Sequence, residues 1–142
     1  MSITQDSFAH LMSLDKSFED MSDISLDGRW AKEIISNESK DVFILHYTVG
    51  RLCLDKFSYN KNYRKSIPLL RFCSSKRHTN PDGTVFEGAH VHVYREGFGD
   101  KVAFPIEEIG LTDIDLSKGT VLESFLDYCN VTRRPRIINQ LF

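Results

Sequence analysis

Cysteine and proline are scarce in this chain, three and four of 142 residues, and tryptophan occurs once. No apolar run reaches the roughly 18 residues that a membrane-spanning helix needs. The N-terminal stretch MSITQDSFAHLMSLDKSF has neither a basic start nor a long apolar middle, which argues against a secretory signal. A cytoplasmic protein without a membrane partner is therefore expected. The cysteines Cys53, Cys73 and Cys129 are odd in number and contain no C-x-x-C pair. That excludes a disulfide framework and a cysteine-rich zinc site, and reduced, mostly buried thiols are expected. The P-loop, G-x-G-x-x-G, G-x-S-x-G and H-E-x-x-H patterns are all absent, which removes the usual support for nucleotide-driven, dinucleotide-binding, serine-hydrolase and zincin chemistry. No cofactor is expected.

What is present is the make-up of an ordinary globular protein, 41% hydrophobic, 11% aromatic and 27% charged. The length fits one domain over residues 1–142. The net charge of −2 conceals a strong asymmetry. Residues 1–50 carry four basic and nine acidic side chains, residues 51–77 carry eight basic ones against Asp55 alone, and residues 78–142 carry six basic and ten acidic. So basic a central segment can neutralise phosphates and attract RNA or DNA. It can equally be a solvated sheet face whose charges are met by the acidic N-terminal region.

Hydrophobic spacing predicts an α+β fold, a single curved antiparallel sheet flanked by an N-terminal and a C-terminal helix. Thr4 is a cap candidate ahead of Phe8, Leu11, Met12, Leu14 and Phe18, a one-sided helical stripe. Short β-rich runs follow at Trp30–Ile35, Val42–Val49, Leu52–Tyr59 and Ile67–Cys73 and read as four consecutive antiparallel strands. Gly50-Arg51 suits a tight hairpin, and Pro68 places the start of the fourth strand, or a sheet edge, at Ile67. His90–Tyr94 alternates strictly, which puts His90, His92 and Tyr94 on one face and the two valines on the other. Arg95–Asp100 then turns the chain into a strand at Lys101–Phe104. Thr120-x-x-Glu123 reads as a capping box opening a helix over 120–129. The tail RRPRIINQLF is suited to covering a sheet edge or docking on a partner.

The chemistry-bearing constellation is His78 with His90 and His92, set among the turn residues of HTNPDG (His78 to Gly83) and followed by Tyr94, Arg95 and Lys101. Two histidines two apart on a strand stand on one face roughly 6 to 7 Å apart. Three chemistries fit. One is a zinc or other transition-metal site completed by His78, Asp82 or Asp100. The second is a general acid/base pair for phosphodiester cleavage of RNA, in which Arg64, Lys65, Arg71, Arg95 or Lys101 hold the phosphate. In the third the histidines are structural and complete a turn and a hairpin. The acid/base reading also accounts for a basic segment beside a histidine-rich strand, and it needs no metal. In KFSYNKNYRK, Phe57, Tyr59 and Tyr63 interleave with Lys56, Lys61, Arg64 and Lys65, as does Tyr94 further on, a pattern able to stack unpaired bases or to form a strand with one basic face. His10 and His46 have no partners in sequence and read as structural.

The run from KFSYNKNYRKSIPLLRF through HTNPDG to GAHVHVYREGFGDKVAFP resembles a family of small bacterial, phage and prophage proteins of unknown function, over most of residues 42–129. In outline it is also similar to TumE-type toxins of toxin–antitoxin systems. These resemblances imply a mobile-element setting and two classes of function. One is a metal-independent, histidine-based endoribonuclease of toxin type with His78, His90 and His92 as catalytic residues. The other is a non-enzymatic inhibitor of a host defence complex, of anti-CRISPR kind, with a structural zinc at the same histidines. Partners expected from them are RNA or a ribonucleoprotein, and an antitoxin or defence effector.

Overall fold

The computed structural model describes residues 3–60, 63–75 and 77–138, the side chains of 59, 60, 63 and 64 excepted. Helix α1 spans Gln5–Ser13, and the Thr4 hydroxyl accepts the Ser7 N–H at 3.0 Å as its cap. Phe8, Leu11 and Met12 form its buried side. Phe18, expected to extend this stripe, instead lies fully buried in strand β1 (Lys16–Phe18). The helix ends early because the chain turns to pair with other strands, the Lys16 N–H going to the Asn130 carbonyl.

After β2 (Ile24–Ser25), the strands β3 (Trp30–Ser36), β4 (Val42–Thr48), β5 (Arg51–Asn60) and β6 (Tyr63–Cys73) form the expected antiparallel meander. Gly50 turns β4 into β5 at φ +85°, and a Cβ there would stand 2.7 Å from Ser74 Oγ. Strand β6 begins before Ile67, so the expected strand start fails, whereas the alternative of a sheet edge holds locally, since the later strand His90–Val93 pairs only with Leu70–Cys73 and leaves Pro68 with a strand on its β5 side alone. A register shift opposite Leu54 and Asp55 leaves Leu69 as an extra residue, and at Pro68, past the end of that later strand, there is no ladder on that side for a missing N–H to interrupt. Next come a small hairpin of β7 (His78–Thr79) and β8 (Val85–Phe86), then β9 (His90–Val93), β10 (Ala103–Phe104) and a 3₁₀ turn at Ile106–Ile109. Helix α2 (Lys118–Tyr128), β11 (Val131–Arg133) and β12 (Ile137–Ile138) complete the order.

The main sheet has eight strands in the order β10-β9-β6-β5-β4-β3-β1-β11. It is antiparallel except for β1 and β11, which run parallel, so the expected α+β class holds while the sheet is larger and mixed at one edge. Strand β11, which follows α2, covers the β1 edge in parallel, and the tail expected to cover a sheet edge instead pairs Ile137–Ile138 with β2 in a separate two-stranded sheet. Helix α2 is capped by Ser117, whose hydroxyl accepts the Thr120 N–H, rather than by the predicted box. The helix starts three residues earlier than the box requires, so Thr120 stands at the third helical position and Glu123, a turn beyond the cap's reach, pairs with Arg134 at 2.6 Å. One apolar core lies between the helices and one sheet face, uniting Phe8, Leu11, Leu122 and Phe125 with Phe43, Leu45, Leu54 and Val91. Each such side chain contributes roughly 1.5–3 kcal/mol on burial. The opposite face carries Ala31, His46 and Arg51, all exposed. Among the described residues no helix is long and apolar enough to cross a membrane.

Candidate functional site

The histidine site grows from strand register. His92 pairs with Arg71 of β6, Arg71 with Cys53 of β5, and Cys53 with His46 of β4. Period-two alternation places this row on the sheet face away from the core, with His90 opposite Cys73 in the next row. The β7–β8 hairpin folds over the β9 end of that row and brings His78 to it. The ring centroid of His78 lies 5.7 Å from that of His90 and 4.5 Å from that of His92, and the latter two are 4.9 Å apart. All three histidines singled out in the sequence therefore meet.

The turn motifs explain how they are held. In HTNPDG, the Asp82 carboxylate accepts the Thr84 N–H at 2.9 Å, and Gly83 takes φ +94°. Asn80, which the sequence reading passed over, docks this hairpin. Its amide donates to the Ala103 carbonyl at 2.9 Å and its oxygen accepts the Ala103 N–H at 2.7 Å, so a side chain completes the free edge of β10. The signal available was an asparagine directly before Pro81, a residue that carries a peptide-like donor and acceptor. In the second turn, Gly97 and Gly99 adopt positive φ. Glu96 accepts the Gln5 N–H at 2.7 Å, which ties this turn to the first residue of α1.

Each imidazole has one nitrogen against a backbone carbonyl. His90 Nδ1 meets Gly88 O at 2.9 Å, His92 Nδ1 meets Asp100 O at 2.8 Å, and His78 Nε2 meets Lys101 O at 3.0 Å. A carbonyl only accepts, so these nitrogens carry the protons and the tautomers are fixed. His90 and His92 then hold bare Nε2 lone pairs, and His78 a bare Nδ1. Though His90 and His92 are only 1% and 3% exposed, Arg71 Nε is the sole buried and unpartnered side-chain nitrogen or oxygen among the described residues. Neither the bare nitrogen of His90 nor that of His92 is therefore both fully enclosed and unpartnered. Burial, then the charges of Arg71, His78 and His90, push the His92 pKa down to about 4, against a smaller rise from the Asp100 carbonyl. Arg71 also lies 3.5 Å from the Asp100 carboxylate.

The remaining sequence candidates divide. Arg71 belongs to the site and Lys101 supplies its carbonyl to His78. The Arg95 guanidinium lies over the Phe104 ring at 5.7 Å, and Lys65 is half-buried on β6. The alternation ends at Val93, so Tyr94 leaves the histidine face. Its N–H goes to the Leu69 carbonyl at the bulge, its ring stacks on Phe8 and its hydroxyl donates to Ile3 O at 2.7 Å. Arg64, Tyr59 and Tyr63 by their side chains, and Lys61 and Lys76 altogether, lie outside the described residues. Cys73 and Cys129 are buried free thiols, and Cys53 donates to Asp55 at 3.0 Å. Burial and the Asp55 charge push the Cys53 thiol far up, which disqualifies it as a nucleophile. Part of the basic segment is met by carboxylates, as in Lys56 with Asp41 of the acidic N-terminal region at 3.5 Å.

Residues 3–131 match the model of a family of unknown function. The chain belongs to DUF6978. No curated protein and no solved structure matches it. The DUF6978 match encloses all three histidines, both turn motifs and Arg71. Among the described residues of this DUF6978 chain, no three His, Cys, Asp or Glu side chains are arranged to hold a metal ion.

Proposed function

We propose that this protein is a metal-independent endoribonuclease of toxin type that cleaves RNA by transesterification at His78, His90 and His92. The observation that carries this reading is the convergence of three imidazoles with fixed tautomers and bare nitrogens beside the Arg71 guanidinium, whose buried Nε has no partner. His92, neutral at pH 7, takes the proton of a ribose 2′-OH. The freed oxygen attacks the neighbouring phosphorus, the bond to the 5′-oxygen breaks, and His78, the least buried of the three, gives that oxygen a proton from Nδ1. This step uses the imidazolium form of His78, whose Nε2–H stays on the Lys101 carbonyl, and leaves His78 neutral and His92 protonated. Products are a 2′,3′-cyclic phosphate and a 5′-hydroxyl, so no water and no metal enters the step. Arg71 binds a non-bridging oxygen as charge builds on the phosphorane.

The test is incubation of a labelled RNA pool with wild type, His92→Asn and His78→Ala, with and without chelator. The expected result is chelator-resistant cleavage to cyclic-phosphate ends, reduced at least 10²-fold in either variant. Unchanged cleavage in both variants overturns the assignment. Absence of cleavage by a folded wild type favours the inhibitory, non-enzymatic role, in which the open sheet face binds a defence complex.

A further inference from the structure

The row that carries His92 continues past it into a hollow. Arg71 neighbours His92 on one side and Cys53 on the other, and beyond it a cavity of about 200 Å³ opens on the outer sheet face. Its lining includes His46, Thr48, Arg51, Cys53 and Arg71. Two arginines from adjacent strands thus face one depression. Arg51 is exposed, and its guanidinium makes no ion pair or hydrogen bond among the described residues. Among the described residues Arg71 has one carboxylate contact, Asp100, on the β9–β10 side, and its Nε has no acceptor. A buried donor without a partner is a destabilising feature, retained where something else satisfies it. Thr48 adds a hydroxyl able to donate, and His46 a ring 3.4 Å from Asp55.

Neighbouring strands stand roughly 4.8 Å apart and Arg51 is in register with Cys73 and His90, so its backbone is about 10 Å from that of His90 and about 12 Å from that of His92. That span suits the next phosphate along an unpaired strand whose scissile phosphate lies at the histidines. A duplex, with both backbones on its outside, has no comparable way to lie flat against a pleated face while presenting a 2′-hydroxyl to buried rings. We propose that this hollow is a flanking-phosphate subsite for single-stranded RNA, formed by Arg51 and Arg71 with Thr48 as an auxiliary donor. It rests on the nuclease reading for the identity of its neighbour. Arg71 then serves two phosphates, and Arg51, outside the histidine cluster, acts in binding alone.

The experiment titrates the full-length protein and its Arg51→Ala variant with 2′-O-methyl RNA, which lacks the attacking hydroxyl, as a dinucleotide with one phosphate and a tetranucleotide with three. Chemical shifts of the protein report binding. The expected result is a fall of about tenfold in the affinity ratio of tetranucleotide to dinucleotide, equivalent to about 1.4 kcal/mol. The salt slope for the tetranucleotide falls by about 0.7 at the same time, one phosphate contact fewer. An unaltered ratio overturns the subsite. Because binding is read without turnover, the two proposals separate. An Arg51-dependent ratio in a protein that never cleaves RNA keeps the subsite and removes the chemistry, and cleavage with an unaltered ratio does the reverse.

Discussion

Acidification tests the histidine cluster where its charge balance is weakest. His92 is 3% exposed, and its folded pKa of about 4 lies below the ordinary 6.5. Between those values the unfolded chain binds more protons at this position than the folded one, so stability rises with pH across the window. The contribution is intact above about 6.5 and is lost as pH falls toward 4. Each tenfold gap in proton affinity is worth about 1.4 kcal/mol, so the site destabilises by about 2 kcal/mol at pH 5 and about 3 kcal/mol at pH 4 relative to pH 7. His92→Asn isolates the effect, because its amide can replace Nδ1–H as donor to the Asp100 carbonyl without titrating. Urea unfolding at pH 7 and pH 5 of both proteins is the assay. At a slope of about 2 kcal/mol/M, wild type loses about 1 M more in midpoint than the variant. Equal losses in the two proteins would refute the argument that His92 is held neutral by burial and by the cations around it. Bound phosphate must oppose the same loss, since an anion beside His92 offsets Arg71, His78 and His90, and adding inorganic phosphate at pH 5 narrows the difference.

Asn80→Ala removes both hydrogen bonds to Ala103 and leaves a buried donor and acceptor unpaired, for about 2–4 kcal/mol; hydrogen exchange at the Ala103 amide accelerates sharply, and unchanged protection there would show that the hairpin is docked by other means. Lys16, fully buried, donates to the carbonyls of Met12, Leu14 and Cys129 at the ends of both helices, and burial lowers its pKa to about 8 from 10.5. A base depressed in the folded state gains stability as pH rises through that interval, so wild type gains about 1 kcal/mol on Lys16→Met between pH 7 and pH 9 in denaturant titrations, whereas a falling difference would contradict the sign.

Elements that announce themselves by periodicity were legible. The meander from β3 to β6, the Gly50 hairpin and α2 follow from alternation, one glycine and one apolar stripe. Elements that exist only because of distant partners were not. Phe18 continues a helical stripe in sequence, yet β1 forms because β3 and β11 sit on either side of it. Lys16 reads as a surface cation, yet it lies where two helix C-termini converge and three carbonyls need a donor. Pro68 reads as a strand start or an edge because proline normally interrupts a ladder, and it sits inside β6 where β9 has ended and a bulge opposite Leu54 and Asp55 shifts the register.

The site shows the same division more sharply. Residue types and spacing bring His90 and His92 to one face, but whether imidazoles can act on a substrate depends on which nitrogen is free. That is decided by the carbonyls of Gly88, Asp100 and Lys101, backbone groups with no sequence signature of their own. Two of these carbonyls, Asp100 and Lys101, belong to the EGFGDK turn and Gly88 lies just ahead of β9, while HTNPDG contributes His78 itself and the Asn80 contacts that dock it. Tyr94 marks the boundary of the pattern argument. It has the right parity for the histidine face, and the bulge carbonyl of Leu69 together with the Ile3 backbone takes it to the core side instead. In the proposed cleavage, a buried ring with a fixed tautomer loses little orientational entropy on meeting RNA, and its low pKa keeps it unprotonated at neutral pH at a cost in basicity.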